Sequence, residues 1–226
     1  MDRADWIDLD PGRKKGLMVS ILNCFVPGQQ SIPLLSTGGI CVDVVRSVDE
    51  LIAAMSIRSR VFQSEQECPY HEEFDGNDLS GATHLLAKYK GEPIGTMRVR
   101  WFADFAKSER FAVIQTKRGG AAAFALIDAA CLLAGRKGYT KILGYAQKRV
   151  VPFWTRRGGG TVRANRETFS FSDHEYVEIV REIPRPNNQL SIDSPPLVLA
   201  RPEGDWDRPG VLDRSNERSV RKVVNS

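Results

Sequence analysis

The sequence has little of what marks a metal, disulfide, membrane or nucleotide-triphosphate protein. Its 226 residues include only four cysteines and three histidines. None of Cys24, Cys41, Cys68 and Cys131 forms a C-x-x-C pair, so neither a zinc constellation nor a metal site is expected. Scattered thiols in a chain of this size point to reduced cysteines in a cytoplasmic protein. No apolar run reaches the ~18 residues that a membrane span needs. Neither G-x-x-x-x-G-K-[ST] nor G-x-G-x-x-G occurs, which removes the P-loop and the dinucleotide fingerprint. No internal repeat is visible. The excess of positive charge is only +4. That is too weak to argue for a nucleic-acid partner, and no basic–aromatic stripe is present, but it suits an anionic small ligand.

What remains is an ordinary globular composition, 42% hydrophobic and 27% charged. The length favours one domain with extensions over two very small domains. Residues 1–39 mix glycine, proline and polar residues and read as an N-terminal extension. Within it, Arg13, Lys14 and Lys15 precede the apolar stretch Leu17–Val26. Asp2, Asp5, Asp8 and Asp10 stand ahead of them and no A-x-A-like site follows, so the stretch reads as a short packed element rather than a signal peptide. Residues 40–183 form the domain. Residues 184–226, with prolines and evenly mixed charges, read as an extended or disordered tail.

Inside the domain the pattern alternates between strand and helix. Ile40–Val45 is β-branched, and Ser47 can cap a helix over Val48–Phe62, whose apolar residues recur at helical spacing. The acidic stretch Glu65–Asp78, broken by Pro69 and Gly76, reads as a loop. His84–Tyr89, Ile94–Phe102 and Phe111–Thr116 read as strands joined by hairpins. Ala121–Leu133 is an alanine-rich helix, Ile142–Ala146 a strand and Val150–Arg157 a short helix. Phe169–Phe171 and Tyr176–Ile183 close the domain as strands. The order β-α-β-β-β-α-β-α-β predicts an α/β (α+β) fold: a mixed, mostly antiparallel sheet flanked by helices.

The junction after Thr116 carries the most chemistry. A strand ends, Lys117-Arg118-Gly119-Gly120 follows, and a helix starts at once. Two glycines let the backbone approach a ligand, and the first helical N–H groups have no internal partner. Such amides at the positive end of a helix can hold pyrophosphate, with Lys117 or Arg118 adding charge. A tight basic turn without a ligand would read the same way.

Phe111-Ala112-Val113, then Arg118-Gly119-Gly120-Ala121-Ala122-Ala123 and Leu126, resemble the acyl-CoA pyrophosphate motif of the GNAT superfamily of N-acetyltransferases. In its R-x-x-G-x-G/A pattern, Ala121 stands where glycine is usual. Ala146-Gln147 and Phe153-Trp154-Thr155-Arg156-Arg157-Gly158 are similar to the segment that in these enzymes reads F-Y-x-x-x-G. The family often uses that tyrosine to protonate the leaving thiolate, which the indole of Trp154 cannot do. His174 resembles the histidine often found before the last strand. Arg58, Phe62, Glu73, Asp75, Asp78 and Arg98 match the R-x-x-x-F, E-x-D-x-x-D and later arginine of the acyl-homoserine lactone synthases, a neighbouring branch. Arg110-Phe111 is similar to that branch as well, whereas its loop tryptophan is unmatched beside Cys68 and Pro69. Together the resemblance spans about residues 40–183.

The resemblance implies an acyl-CoA-dependent N-acyltransferase, most simply one moving acetyl from acetyl-CoA to the amine of a small molecule or amino acid by direct attack. Phe111, Ala112, Val113, Arg118, Gly119, Gly120, Ala121, Ala122, Ala123 and Phe153 would hold the coenzyme. Amides near Val113 would face the thioester carbonyl, in the gap between two splayed strands. Candidate bases are Glu73, Asp75 and Glu109; a solvated acidic loop that attracts a cationic acceptor is the alternative for the first two. Arg58, Phe62, Asp78 and Arg98 would face the acceptor, although Arg58 better suits a salt bridge to the acidic loop. Arg98 suits either a bidentate carboxylate or solvent. Trp101 and Phe102 suit a pocket wall or the core. Two rivals stand beside this reading. One is a longer-chain enzyme drawing on acyl carrier protein, an acidic partner suited to a basic surface. The other is a non-catalytic CoA-binding module, which Trp154 and Ala121 keep open. Oligomeric state is not legible.

Overall fold

The computed structural model describes residues 33–156 and 158–215. The short element expected at Leu17–Val26 lies outside them. Nine strands form one sheet in the order β1-β2-β3-β4-β5-β6-β9-β7, with β8 paired to β9. The strands are β1 Leu35–Thr37, β2 Ile40–Val44, β3 Thr83–Tyr89, β4 Glu92–Trp101, β5 Ala106–Val113, β6 Lys141–Gln147, β7 Thr161–Val162, β8 Phe169–Phe171 and β9 His174–Glu182. All neighbours are antiparallel except β5 and β6. The expected mixed, mostly antiparallel sheet with flanking helices is therefore the observed architecture.

Helix α1 (Val48–Arg58) covers one face. Ser47 Oγ accepts the Glu50 N–H at 3.2 Å, and the Glu50 carboxylate reaches back to the Arg46 N–H at 3.0 Å, so both orphan donors are satisfied. The helix runs on without a break into a π-helical turn, Ser59–Ser64, and Ala54, Ile57 and Val61 pack on Leu86 and Ala112. Helix α3 (Ala121–Arg136) covers the other face. Its buried stripe of Ala122, Ala125, Leu126, Ala129, Ala130, Leu133 and Ala134 has helical spacing, and small side chains let the axis lie close to Leu85, Ala87, Met97 and Val99. Three further short helices are α2 (Tyr70–Glu73), α4 (Val151–Arg156) and α5 (Pro196–Leu199).

Four expectations change. The acidic loop contains α2. Strand β5 begins at Ala106 rather than Phe111 and stops before a 3-10 turn at Gln115–Lys117. Residues 184–215 are not a loose tail: the Leu190 N–H reaches Arg136 O at 2.8 Å, and Trp206 is buried in the main core. Glu203 and Asp205 pair with Lys137 and Arg46, so the segment closes over the end of α3 and the edge at β2. Finally, Cys41 is disulfide-bonded, while Cys68 and Cys131 are free thiols. Pairing depends on which Cβ atoms the fold brings together, which spacing alone does not reveal. Among the described residues no helix is long and apolar enough to cross a membrane.

Candidate functional site

The site begins where two parallel strands part. β5 and β6 pair only at Ala106–Ser108 with Ile142–Gly144. Beyond that, β5 stays with β4 while β6 stays with β9, and the two diverge. Arg110 takes a positive φ of 49° and the β4 register shifts between Thr96 and Arg98, so a bulge bends β5 away at this point. A cavity of about 540 Å³ fills the gap. Its walls come from both faces of the sheet. Toward α3 it is lined by Met97, Ile127, Ala130, Ile142, Gly144 and Phe153. Toward α1 it meets Phe62, Cys68, Glu73, Asp75, Glu109 and Tyr176.

The α1-side wall is a network of buried charge. Arg58, fully buried, donates from Nε to Glu73 Oε1 at 2.5 Å and from Nη1 to Asp78 Oδ1 at 2.5 Å. Arg98, also fully buried, forks onto Asp75 at 2.7 and 2.8 Å, onto Glu109 Oε2 at 2.7 and 3.1 Å, and reaches Asp78 at 3.0 Å. Arg110 bonds Asp75 at 3.0 Å and lies 3.1 Å from Glu73 Oε2, and Lys107 lies 2.7 Å from Glu109. Four cations thus face four carboxylates. The charges of Glu73, Asp75 and Asp78 are matched by cations from α1, β4 and β5 rather than left free for a cationic acceptor.

The carboxylates differ in their protonation. Burial pushes Glu73 above its ordinary pKa, and the charges of Arg58 and Arg110 only partly offset this. For Asp75, burial is outweighed by hydrogen bonds from Arg98 and the Asn77 N–H and by nearby positive charge, which hold it well below the usual range. Glu109 is lowered likewise, burial being overcome by Lys107 and Arg98. Asp78 falls below its ordinary value through Arg58 and Arg98, again against burial.

Of the residues singled out in the sequence, Glu73, Asp75, Glu109, Phe62, Phe111 and Phe153 line the cavity. Arg58, Asp78 and Arg98 do not. Their side chains are sealed behind it and hold the loop instead of meeting an acceptor, because every charged arm already has a partner. Ala112 faces α1 and Val113 the main core, so neither side chain lines the cavity. Trp101 stacks on Tyr139 in the core with ring centroids 5.2 Å apart, and Phe102 stacks on Phe105 at 4.8 Å. His174 opens β9 opposite Phe171.

The turn ahead of α3 does not line this cavity: Lys117, Arg118, Gly120, Ala121 and Ala122 border a separate, smaller pocket with Ile40, Tyr89 and Ile94. Gly119 has φ +74°, and a Cβ there would meet nothing within 4 Å, so the surface is open for close approach. Gly120 is the N-cap and no side chain caps the helix, which leaves the amides of Ala121, Ala122 and Ala123 to an outside acceptor. Arg118 Nε donates to Val113 O at 2.9 Å, and its other end pairs with Glu65. Phe111 meets Phe153 and Trp154 with centroids 6.5 and 5.4 Å apart, forming an aromatic edge beside the turn.

Residues that periodicity passed over also reach the cavity: Gln66, Tyr145, Gln147, Phe171, Ser172 and Tyr176. Gln147 was visible only as part of the Ala146-Gln147 pair, and Tyr176 only as a strand residue. No spacing signal joins them, since β9 returns from about thirty residues downstream to lie beside β6.

The sequence pattern of the Acetyltransferase (GNAT) family matches residues 51–159. A Bacillus subtilis (strain 168) protein predicted to be an acetyltransferase is 31% identical over 119 residues, covering 52% of this chain and 81% of the relative. The crystal structure of an acyl-CoA N-acyltransferase from Pseudomonas aeruginosa superposes with a TM-score of 0.55 at 25% identity, covering 63% of this chain and 97% of that one. The CoA-dependent acyl-homoserine lactone synthase BjaI shares the fold, with a TM-score of 0.56 at 16% identity over 65% of this chain and 85% of its own. At this level of likeness the chain belongs to the GNAT acetyltransferase family and is an N-acyltransferase enzyme.

Proposed function

We propose that the protein moves an acyl group, in the simplest case acetyl from acetyl-CoA, to the amine of a small molecule or amino acid by direct attack. The observation that carries this reading is the gap between β5 and β6, which joins the two faces of the sheet in one cavity. Donor and acceptor can then enter from opposite faces and meet at the strand edge, an arrangement that replaces a bimolecular collision by held geometry.

The chain's residues fit an acyl-CoA. The uncapped amides of Ala121–Ala123, with Gly119 and Gly120, suit the pyrophosphate, and Arg118 adds charge once it turns from Glu65. Phe111 and Phe153 suit the pantetheine arm. The edge of β5 beyond Ser108 has no β6 partner, so backbone N–H groups near Val113 can stabilise the oxyanion. Among the three carboxylates, Glu73 has the raised basicity a general base needs, and it lines the cavity. Asp75 and Glu109 are too strongly paired to take a proton near neutrality and instead fix Arg98 and Arg110.

A second reading has one observation behind it. On the α3 side the cavity includes an apolar recess of Met97, Ile127, Ala130 and Ile142, floored by Gly144. That recess suits an acyl chain longer than acetyl, with CoA or an acyl carrier protein as donor.

Thermal-shift measurements with free CoA, acetyl-CoA and longer acyl-CoAs test binding, and thiol release with a panel of amines tests transfer. A binder raises the melting temperature by mass action. Absence of any rise with all CoA species overturns the reading. The donor giving the highest kcat/KM separates the two acyl lengths.

A further inference from the structure

Trp154 stands on α4 where the family resemblance implies a hydroxyl acid, and its indole packs edge-on against Phe111 and Phe153. Another phenol enters the same gap from the opposite side. Tyr176 lies on β9 directly opposite Gln147, at the wide end of the gap where β6 finishes. It is 9% exposed and lines the cavity. Its ring is clamped by Phe171, stacked 3.8 Å away at 13°, and flanked by Phe169 at 6.0 Å.

The hydrogen bonds around it fix where its proton points. Arg149 Nε lies 2.7 Å from Gln147 Oε1, and an arginine can only donate. The Gln147 carbonyl must therefore face Arg149, which turns its NH2 toward Gln66 Oε1 at 3.1 Å and the Tyr176 oxygen at 3.0 Å. The phenol oxygen is an acceptor in that bond. Its own O–H has no protein acceptor among the described residues and is left for the cavity. Burial raises the phenol's pKa, so it holds its proton near neutrality; Cys68, Arg110 and Arg149 are the ionisable groups whose charge reaches it.

We propose that Tyr176 is a catalytic residue that gives its hydroxyl proton to the coenzyme A sulfur as the thioester bond breaks. The inference rests on the acyl-transfer reading above. The amine nitrogen forms the new C–N bond to the carbonyl carbon and gives one proton to a base. The C–S bond breaks with its electron pair on sulfur, and the Tyr176 proton neutralises that sulfur to a thiol. The phenolate then recovers a proton from solvent. No oxidant or further reactant is needed.

Tyr176→Phe keeps the ring and its stack while removing the proton. We expect CoA binding and melting temperature to be retained and kcat with acetyl-CoA to fall about 100-fold, within the range for a general acid. With an acetyl-pantetheine donor whose thiol is acidified by fluorines beside the sulfur, the deficit shrinks to about threefold or less, because an acidic leaving group needs no acid. A ring-fluorinated tyrosine at 176 moves the alkaline limb of the kcat profile to lower pH. Wild-type turnover by Tyr176→Phe, a loss just as large with the acidified donor, or an unmoved alkaline limb each overturns the proposal while the acyl-transfer reading stands. A wild-type protein that binds CoA but acylates no amine removes both.

Discussion

Arg58 grips Asp78 with both arms of its guanidinium, Nη1 to Oδ1 at 2.5 Å and Nη2 to Oδ2 at 3.2 Å, twenty residues apart in sequence and sealed from water. The same guanidinium holds Glu73 through Nε. The helical arginine is thus the pin that fastens the cavity's acidic wall to α1.

Removing that pin leaves Glu73 with Arg110 alone and Asp78 with Arg98 alone, each buried carboxylate losing its closest cation. Arg58→Met is expected to lower stability by about 3–5 kcal/mol, the usual cost of breaking a buried pair from one side. Urea unfolding at pH 7 measures it. A change below about 1 kcal/mol would show that the wall does not depend on Arg58.

Acid should loosen the same wall. Asp75, Asp78 and Glu109 all have depressed pKa values in the folded protein. Their stabilisation is present above the unfolded values near ~4 and is lost as pH falls through the lower folded values. Glu73, shifted upward, acts in the opposite sense and delays the fall. Melting temperature against pH should therefore stay level toward pH ~4 and drop below it. Glu109→Gln should make that drop shallower; an equal slope in the variant counts against the network as its source.

Charge at the turn should govern donor affinity. Arg118→Glu places a carboxylate beside Glu65 and the uncapped amides of α3. Losing a charge-assisted contact of about 1.5–3 kcal/mol corresponds to roughly 10- to 100-fold weaker CoA binding. Calorimetric titration reads this directly, and unchanged affinity would place the pyrophosphate elsewhere.

Gly144 should set how much acyl chain fits. It faces Ser108 in the last β5–β6 pair, where an added Cβ would lie 3.1 Å from Ser108 Oγ. Gly144→Val narrows the entrance to the apolar recess. If donors longer than acetyl are used, their kcat/KM should fall at least tenfold more than that of acetyl-CoA. A parallel fall for all donors would point to a distorted strand instead.

The C-terminal segment should matter to stability. Trp206 is 8% exposed and its ring lies 5.9 Å from the Arg136 guanidinium. Trp206→Ala is expected to cost about 3–5 kcal/mol, as large-to-small core changes do. Calorimetric melting of this variant, and of a chain ending at Ile183, would reveal a dispensable tail by leaving the midpoint unchanged.

Much of the architecture is legible because local physics agrees with the fold. Ser47 and Glu50 announce α1, the Ala/Leu stripe announces α3, and Lys90-Gly91, both at positive φ, announce the β3–β4 hairpin. The charged half of β5 is different. Lys107, Glu109 and Arg110 look like loop residues, yet they lie in a strand beside β4, where Lys107 and Arg98 meet Glu109 and Glu73 and Asp75 meet Arg110. Arg58 reads in the sequence as a salt-bridge partner of the acidic loop, which it is, whereas Arg98 reads as an acceptor-facing or solvent-facing strand residue until its partners are seen. The docking of Trp206 depends on a distant chain segment in the same way.

The sequence by itself determined the periodic elements, the mixed sheet and the glycine turn at the head of α3, because each is encoded within a few neighbouring residues. The tertiary structure decided which charges are buried, where β5 leaves β6, and that Tyr176 meets Gln147 across the gap. Those outcomes need groups from 11 to 37 residues apart to be brought within hydrogen-bonding distance, and no local pattern specifies such encounters.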